Sequence, residues 1–252
     1  MMELPTRLGT DEAGYVINQT DVTRIQPMFR PVLDQVIQLL REEFAEALYS
    51  VYVYGSVGRG TAVAGRSDLD VTVIVKQEVD VDVLKRRTML LLREHPEVIK
   101  IDYDIGLLDT VLDPVNHYEW GFWLRHMCAC VEGTDLSHSF PYMKPDERTS
   151  RALNRDLSNQ LREAQVQLKT RRMTGKEKRS LVKRMIRGAY LTINVEDQSF
   201  VSTITDSLFV LRLYFPNSEI IDNLERGMES AKLQDEWLGE LIVQYESLFL
   251  PR

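Results

Sequence analysis

Two carboxylates stand two residues apart in an otherwise apolar run, Asp68 and Asp70 in SDLDVTVIV. Strand alternation puts both on one face and turns Leu69 to the other. Carboxylates held that close repel one another unless a cation neutralises them, and hard oxygen ligands of this kind suit Mg²⁺. A metal pair ~4 Å apart can clamp the attacking and leaving oxygens of a phosphoryl displacement. Such a site needs a further carboxylate from a neighbouring strand. The segment IKIDYDIGLL offers Asp102 and Asp104, which alternate with Ile101, Tyr103 and Ile105 and share one face. Alternation alone does not choose between them.

Upstream, VYGSVGRG sets glycines directly after an apolar run, where exposed amides at a helix start bind phosphate. Two phosphate loops are excluded. The pattern G-x-x-x-x-G-K-[ST] finds Gly55 and Gly60, but Thr61-Ala62 replaces its last two residues. The pattern G-x-G-x-x-G starts at Gly58 and Gly60, but Val63 occupies the third glycine position. A third arrangement remains: the turn Gly55-Ser56, then Asp68-x-Asp70, then a carboxylate on a third strand. Each part alone is commonplace, and their order carries the weight.

Local patterning supplies the elements that must position these residues. Apolar residues recur at helical spacing between Asp21 and Leu48 (Val32, Val36, Leu39, Leu40, Phe44), with Pro27 and Pro31 confining the regular helix to the residues after them. Strands are expected at Val51–Tyr54, Leu69–Val75 and Val98–Leu108, a turn or short helix at Ser56–Gly65, and a helix at Asp82–Arg93. Residues 109–135 are mixed and hold Trp120 and Trp123, and the polar stretch 133–147 predicts a linker. Beyond it, 149–172, 176–193, 202–215 and 218–249 have helical periodicity, broken at Pro216-Asn217. The expected organisation is a loosely ordered segment 1–20, an α+β domain over 21–140 with a small mixed sheet and flanking helices, and an all-α helical bundle over 146–252.

The stretch VYGSVGRGTAVAGRSDLDVTVIV resembles the signature of the nucleotidyltransferase fold superfamily related to DNA polymerase β, and the likeness covers roughly residues 30–135. The helical half is similar to that of bacterial aminoglycoside and other antibiotic nucleotidyltransferases, without a diagnostic motif. The resemblance implies that Gly55 and Ser56 hold a nucleoside triphosphate and that Asp68 and Asp70 ligate metal. In such families the third carboxylate is followed by an apolar residue, which favours Asp102 and leaves Asp104 in reserve. It further implies an enzyme that uses two Mg²⁺ ions to move AMP from ATP to a hydroxyl of a small-molecule acceptor, an aminoglycoside-type antibiotic in the most specific version, with release of pyrophosphate. Two rivals stand beside it: AMP transfer to a protein tyrosine or serine, as in antitoxin-type enzymes, and a nucleotide-binding module without turnover.

Composition limits the partners. The 252 residues carry a formal net charge of −7, with 44% hydrophobic and 27% charged residues, an ordinary globular balance that disfavours generic nucleic-acid or membrane binding. Two cysteines, Cys128 and Cys130, support neither a structural zinc site nor a disulfide framework and are expected as reduced core thiols. The amino-terminal residues lack a signal-peptide pattern and no apolar run reaches the ~20 residues of a membrane span, so a cytoplasmic location is expected. A homodimer is compatible with the sequence but not readable from it.

Charge within the helical half is uneven. Lys169, Arg171, Arg172, Lys176, Lys178, Arg179, Lys183, Arg184 and Arg187 make a local positive field. The stretch suits a solvated helix pair or a phosphate contact in which Lys183 and Arg187 reach the β- and γ-phosphates. Arg59 and Arg66 flanking the motif, and Ser67 beside the carboxylate pair, do likewise in that reading. An RNA-binding patch is disfavoured by the sparse aromatics between 149 and 189. Further on, Glu219, Asp222, Glu225, Glu229, Asp235, Glu236, Glu240 and Glu246 suit either a solvated face or a pocket for a polycationic acceptor. A general base is expected among them or at Glu196 and Asp197. No histidine follows His138, which excludes an Arg-x₄₋₆-His ribonuclease in this half. His117 and His126 are read as packing residues.

Overall fold

The computed structural model describes residues 4–170, 173–230 and 232–250. It separates into two compact units: Ile17–Met143, and the residues up to Val16 together with those from Lys144 onward.

The first unit is built on a four-stranded sheet in the order β3-β2-β1-β4, comprising β1 (Leu48–Tyr54), β2 (Leu69–Val75), β3 (Ile101–Leu107) and β4 (Ala129–Gly133). β1 runs antiparallel to β2 and β4, and β2 runs parallel to β3. Helix α1 spans Arg30–Phe44, α2 is the single turn Gly55–Gly58, α3 spans Asp82–Glu94, and α4 (Leu108–Leu112) and α5 (Phe122–His126) follow β3. Short 3₁₀ turns at Val22–Arg24 and Pro27–Phe29 precede α1. The regular helix therefore starts at Arg30 and keeps Pro31 in its first turn, where a missing N–H costs no helical hydrogen bond.

Alternation along the strands sorts side chains into two clusters. Val51, Val53, Leu69, Val71, Val73 and Val75 pack with Val32, Val36, Leu40 and Phe44 of α1 and Leu84 of α3. On the other face Tyr52 and Ile74 pack with Val111, Leu124, Leu136 and Phe140, against which Tyr54, Trp120 and Trp123 lie. β1 starts at Leu48, earlier than the expected Val51, because Leu48 pairs with Val75. β4 was not anticipated. Its residues ACVEG show no clear alternation, and it exists because Val53 and Tyr52 pair with Ala129 and Cys130.

In the second unit the helices are α6 (Glu147–Asn154), α7 (Leu157–Thr170), α8 (Gly175–Tyr190), α9 (Ile204–Tyr214), α10 (Glu219–Glu229) and α11 (Asp235–Phe249). α8 opens with a capping box in which the Thr174 hydroxyl accepts from the Glu177 amide and the Glu177 carboxylate accepts from the Thr174 amide. Two expected long helices are split. The guanidinium of Arg184 donates to Leu153 O (3.0 Å), Asn154 Oδ1 (3.0 Å) and Asp156 Oδ1 (2.8 Å), which satisfies the end of α6 and separates it from α7. Lys178, buried, donates to Leu233 O and pairs with Asp235 at the break between α10 and α11.

The amino-terminal residues are not loosely held where they are described. The buried Asp197 carboxylate accepts from the Thr6 amide (2.7 Å), the Thr6 hydroxyl and the Tyr214 hydroxyl (3.1 Å). The Phe200 amide donates to Leu8 O at 2.9 Å. Among the described residues no helix is long and apolar enough to cross a membrane.

Candidate active site

The site begins where β1 ends. Gly55 has φ +67°, and a Cβ built there would lie 2.0 Å from Asp70 Oδ2. The turn thus needs glycine twice: for the left-handed backbone and for the approach of the Asp70 carboxylate. Tyr54 pairs with Asp70 across β1–β2, and Asp70 pairs with Asp102 across β2–β3, so the three stand in one row. The next row is Tyr52, Thr72 and Asp104. All lie on the sheet face opposite α1.

Each carboxylate has a different environment. Asp68 stands one residue before β2, and its Oδ1 is buried without a hydrogen-bond partner. An unsatisfied buried acceptor costs about 1–3 kcal/mol, a cost that a bound cation removes. Asp102 is ion-paired with Lys100, both side chains being half-exposed. Asp104 is reached by water but backed by protein. That partial desolvation raises its pKa above the ordinary carboxylate value, and the neighbouring charge of Glu119 raises it further. The Tyr54 phenol is pushed upward first by burial and then by the charges of Asp70, Asp104 and Asp102, so the negative field of all three meets at this ring. Arg59 is half-buried near Asp70; burial lowers its pKa and Asp70 offsets part of that effect.

Not every expected residue joins the row. Ser67 closes its own turn, its hydroxyl accepting from the Val63 amide at 2.9 Å, while Arg66 is exposed beside it. Among the described residues, no three His, Cys, Asp or Glu side chains are gathered closely enough to hold a metal ion. Asp68, Asp70 and Asp102 share the right end of the sheet and the right donor chemistry, but Asp102 faces an ammonium group. Lys183 and Arg187 lie one turn apart on the exposed side of α8, in the other unit. Arg171 and Arg172 lie outside the described residues. Asp197, a possible base by sequence, is fully committed to its hydroxyl and amide donors.

Several residues packed around the carboxylate row are not indicated by the sequence pattern. Trp123 Nε1 donates to the buried Thr72 Oγ1 at 3.0 Å, and its ring meets Tyr54 edge-on at 4.8 Å. Trp120 packs so closely on β3 that a Cβ at Gly106 would fall 2.7 Å from its ring. These contacts depend on strand pairing and leave no local signal. Lys100 does leave one, since it alternates in step with Asp102 and Asp104. The histidines pack as expected: buried His126 accepts from the Met143 amide at 2.9 Å, and the His117 ring meets Phe140. Cys128 and Cys130 are free thiols, both raised by burial, Cys130 to about 11.

A mixed sheet that sets a glycine turn against a row of carboxylates is the arrangement of a nucleotidyltransferase domain. Residues 33–125 match the nucleotidyltransferase domain family. Comparison with curated protein sequences gives no match. Among solved structures the chain is similar to the spectinomycin adenyltransferase AAD(9) from Enterococcus faecialis, determined with ATP and spectinomycin. The TM-score is 0.59 at 14% identity, over 86% of this chain and 97% of that one. At that identity the likeness is one of fold.

Proposed function

We propose that the protein transfers AMP from ATP to a hydroxyl of a small aminoglycoside- or aminocyclitol-type antibiotic, releasing pyrophosphate. The observation that carries this reading is the Gly55 turn, whose left-handed backbone admits the Asp70 carboxylate while Asp70 and Asp102 stand in register. The amides of Gly55 and Ser56, at the start of α2, bind the triphosphate, and Arg59, near Asp70, balances its charge. Asp68, Asp70 and Asp102 are the residues that would hold Mg²⁺, and the unpartnered Asp68 Oδ1 fits a cation. When bound, the metal polarises the phosphoryl oxygens and neutralises charge on the leaving group. The acceptor oxygen bonds to the α-phosphorus as the α–β bridging bond breaks, and the hydroxyl proton is released.

The choice of ATP and of a drug acceptor draws on the similar adenyltransferase structure, which was determined with ATP and spectinomycin. A cytoplasmic location, where ATP is available, goes with it. The test is a single-turnover reaction with α-labelled ATP, Mg²⁺ and a panel of aminoglycosides including spectinomycin. A labelled drug adduct is expected. Label on a protein band in lysate, with none on any drug, would instead favour protein AMPylation. ATP binding that survives Asp68→Ala and Asp70→Ala, with no pyrophosphate released by the wild type, would leave a nucleotide-binding module.

A further inference from the structure

We propose that Lys100 is a built-in counter-cation for Asp102, occupying this carboxylate against a free divalent ion, so that metal capture requires the two side chains to separate. The inference rests on the reading of Asp68, Asp70 and Asp102 as the metal-holding set.

Three observations lead to it. First, the run IKIDYD places Lys100, Asp102 and Asp104 on one face of the edge strand β3 by alternation, and the Lys100 ammonium is paired with Asp102 Oδ1. The Lys100 backbone is fixed as well, since its carbonyl accepts from the Leu69 amide at 2.9 Å, one step before β2 and β3 come into register. Second, Asp102 stands directly opposite Asp70. Two carboxylates in adjacent parallel positions repel, and an ammonium on one of them relieves that repulsion without metal. Third, the remaining carboxylates differ. Asp70 has Arg59 nearby, whereas Asp68 keeps a buried oxygen with no partner. The row is thus partly neutralised from within, and no carboxylate trio is assembled among the described residues.

Lys100 acts through Asp102 and is a positioning residue. The side chains of the pair are 43% and 37% exposed, so the interaction is weak enough to exchange. A metal–nucleotide complex, which brings its own phosphate ligands, displaces the ammonium more readily than a bare ion does.

The test is Mn²⁺ binding to the full chain without nucleotide, read from the EPR signal of free Mn²⁺, for the wild type, Lys100→Met, Lys100→Gln, Asp102→Asn and the double variant Lys100→Met/Asp102→Asn. Both Lys100 substitutions lie on a half-exposed side chain, and agreement between them guards against a folding artefact. Each is expected to tighten Mn²⁺ binding by about two- to fivefold, the range expected for a half-exposed pair. The gain is expected to vanish in the Asp102→Asn background. Equal affinity in wild type and both Lys100 variants overturns the proposal, as does a gain that persists in the double variant relative to Asp102→Asn alone, which would be a general charge effect. Loss of wild-type binding in Asp70→Asn, measured alongside, shows that the metal reading stands even if the Lys100 proposal fails. Absence of Mn²⁺ binding in every variant would sink both.

Discussion

The two faces of one sheet have opposite uses in this protein. Toward α1, β1 and β2 present Val51, Val53, Leu69, Val71 and Val73, all sealed from water. Toward the aromatic segment the same strands present Tyr54, Asp70 and Thr72, and β3 adds Asp102 and Asp104. The first face follows the rule of a buried sheet, and its burial supplies the stability. The second breaks that rule with carboxylates, a left-handed glycine turn and a partnerless buried oxygen, features tolerated because the first face holds the backbone in place. Stability and chemistry are thereby separated by a single residue step, Leu69 pointing one way and Asp70 the other.

That separation makes predictions that differ in kind from one face to the other. The largest effect is expected at Asp70. Asp70→Asn should lower kcat/KM by roughly 10³-fold while the melting temperature stays close to wild type, since no apolar contact is lost. Both quantities can be measured on one preparation, and a matching collapse in stability would erase the distinction between the faces. Next comes Leu40→Ala on α1, where a side chain with 0% exposure leaves a cavity. Urea unfolding should show a loss of about 2–5 kcal/mol, with turnover per folded molecule nearly unchanged.

Gly55→Ala sits on the border between the two behaviours. Its new methyl would strike Asp70 Oδ2 and adopt a left-handed backbone, so it should cost about 1–3 kcal/mol in unfolding and also lower turnover. Thr72→Val is expected to act on stability alone. It leaves the Trp123 indole N–H without its acceptor, for an expected loss of about 1–3 kcal/mol, visible in urea titrations monitored by tryptophan fluorescence.

Much of the candidate site's layout was legible because it is local. Alternation alone places Asp68, Asp70 and Asp102 relative to their neighbours, and the glycines mark the end of β1. What could not be read is the order β3-β2-β1-β4, which sets Asp70 between Tyr54 and Asp102 and decides what Gly55 must avoid. β4 was missed because a five-residue edge strand has too few residues to show a period of its own. In the helical unit the periodicity survived, but the breaks at 155–156 and 230–234 did not show. Neither contains proline or glycine, and both are held by distant cations, Arg184 and Lys178. The amino-terminal residues looked unattached for the same reason: their partner, Asp197, lies far along the chain. Lys100 carries a spacing signal that went unread, and its pairing with Asp102 became apparent only in the folded chain.

The most direct test is a crystal of the full chain grown with Mn²⁺ and a non-hydrolysable ATP analogue, with anomalous scattering used to locate the metal. The account expects manganese peaks bounded by Asp68, Asp70 and Asp102, and phosphates resting on the Gly55-Ser56 turn. Manganese elsewhere, or a nucleotide bound away from that turn, would contradict it.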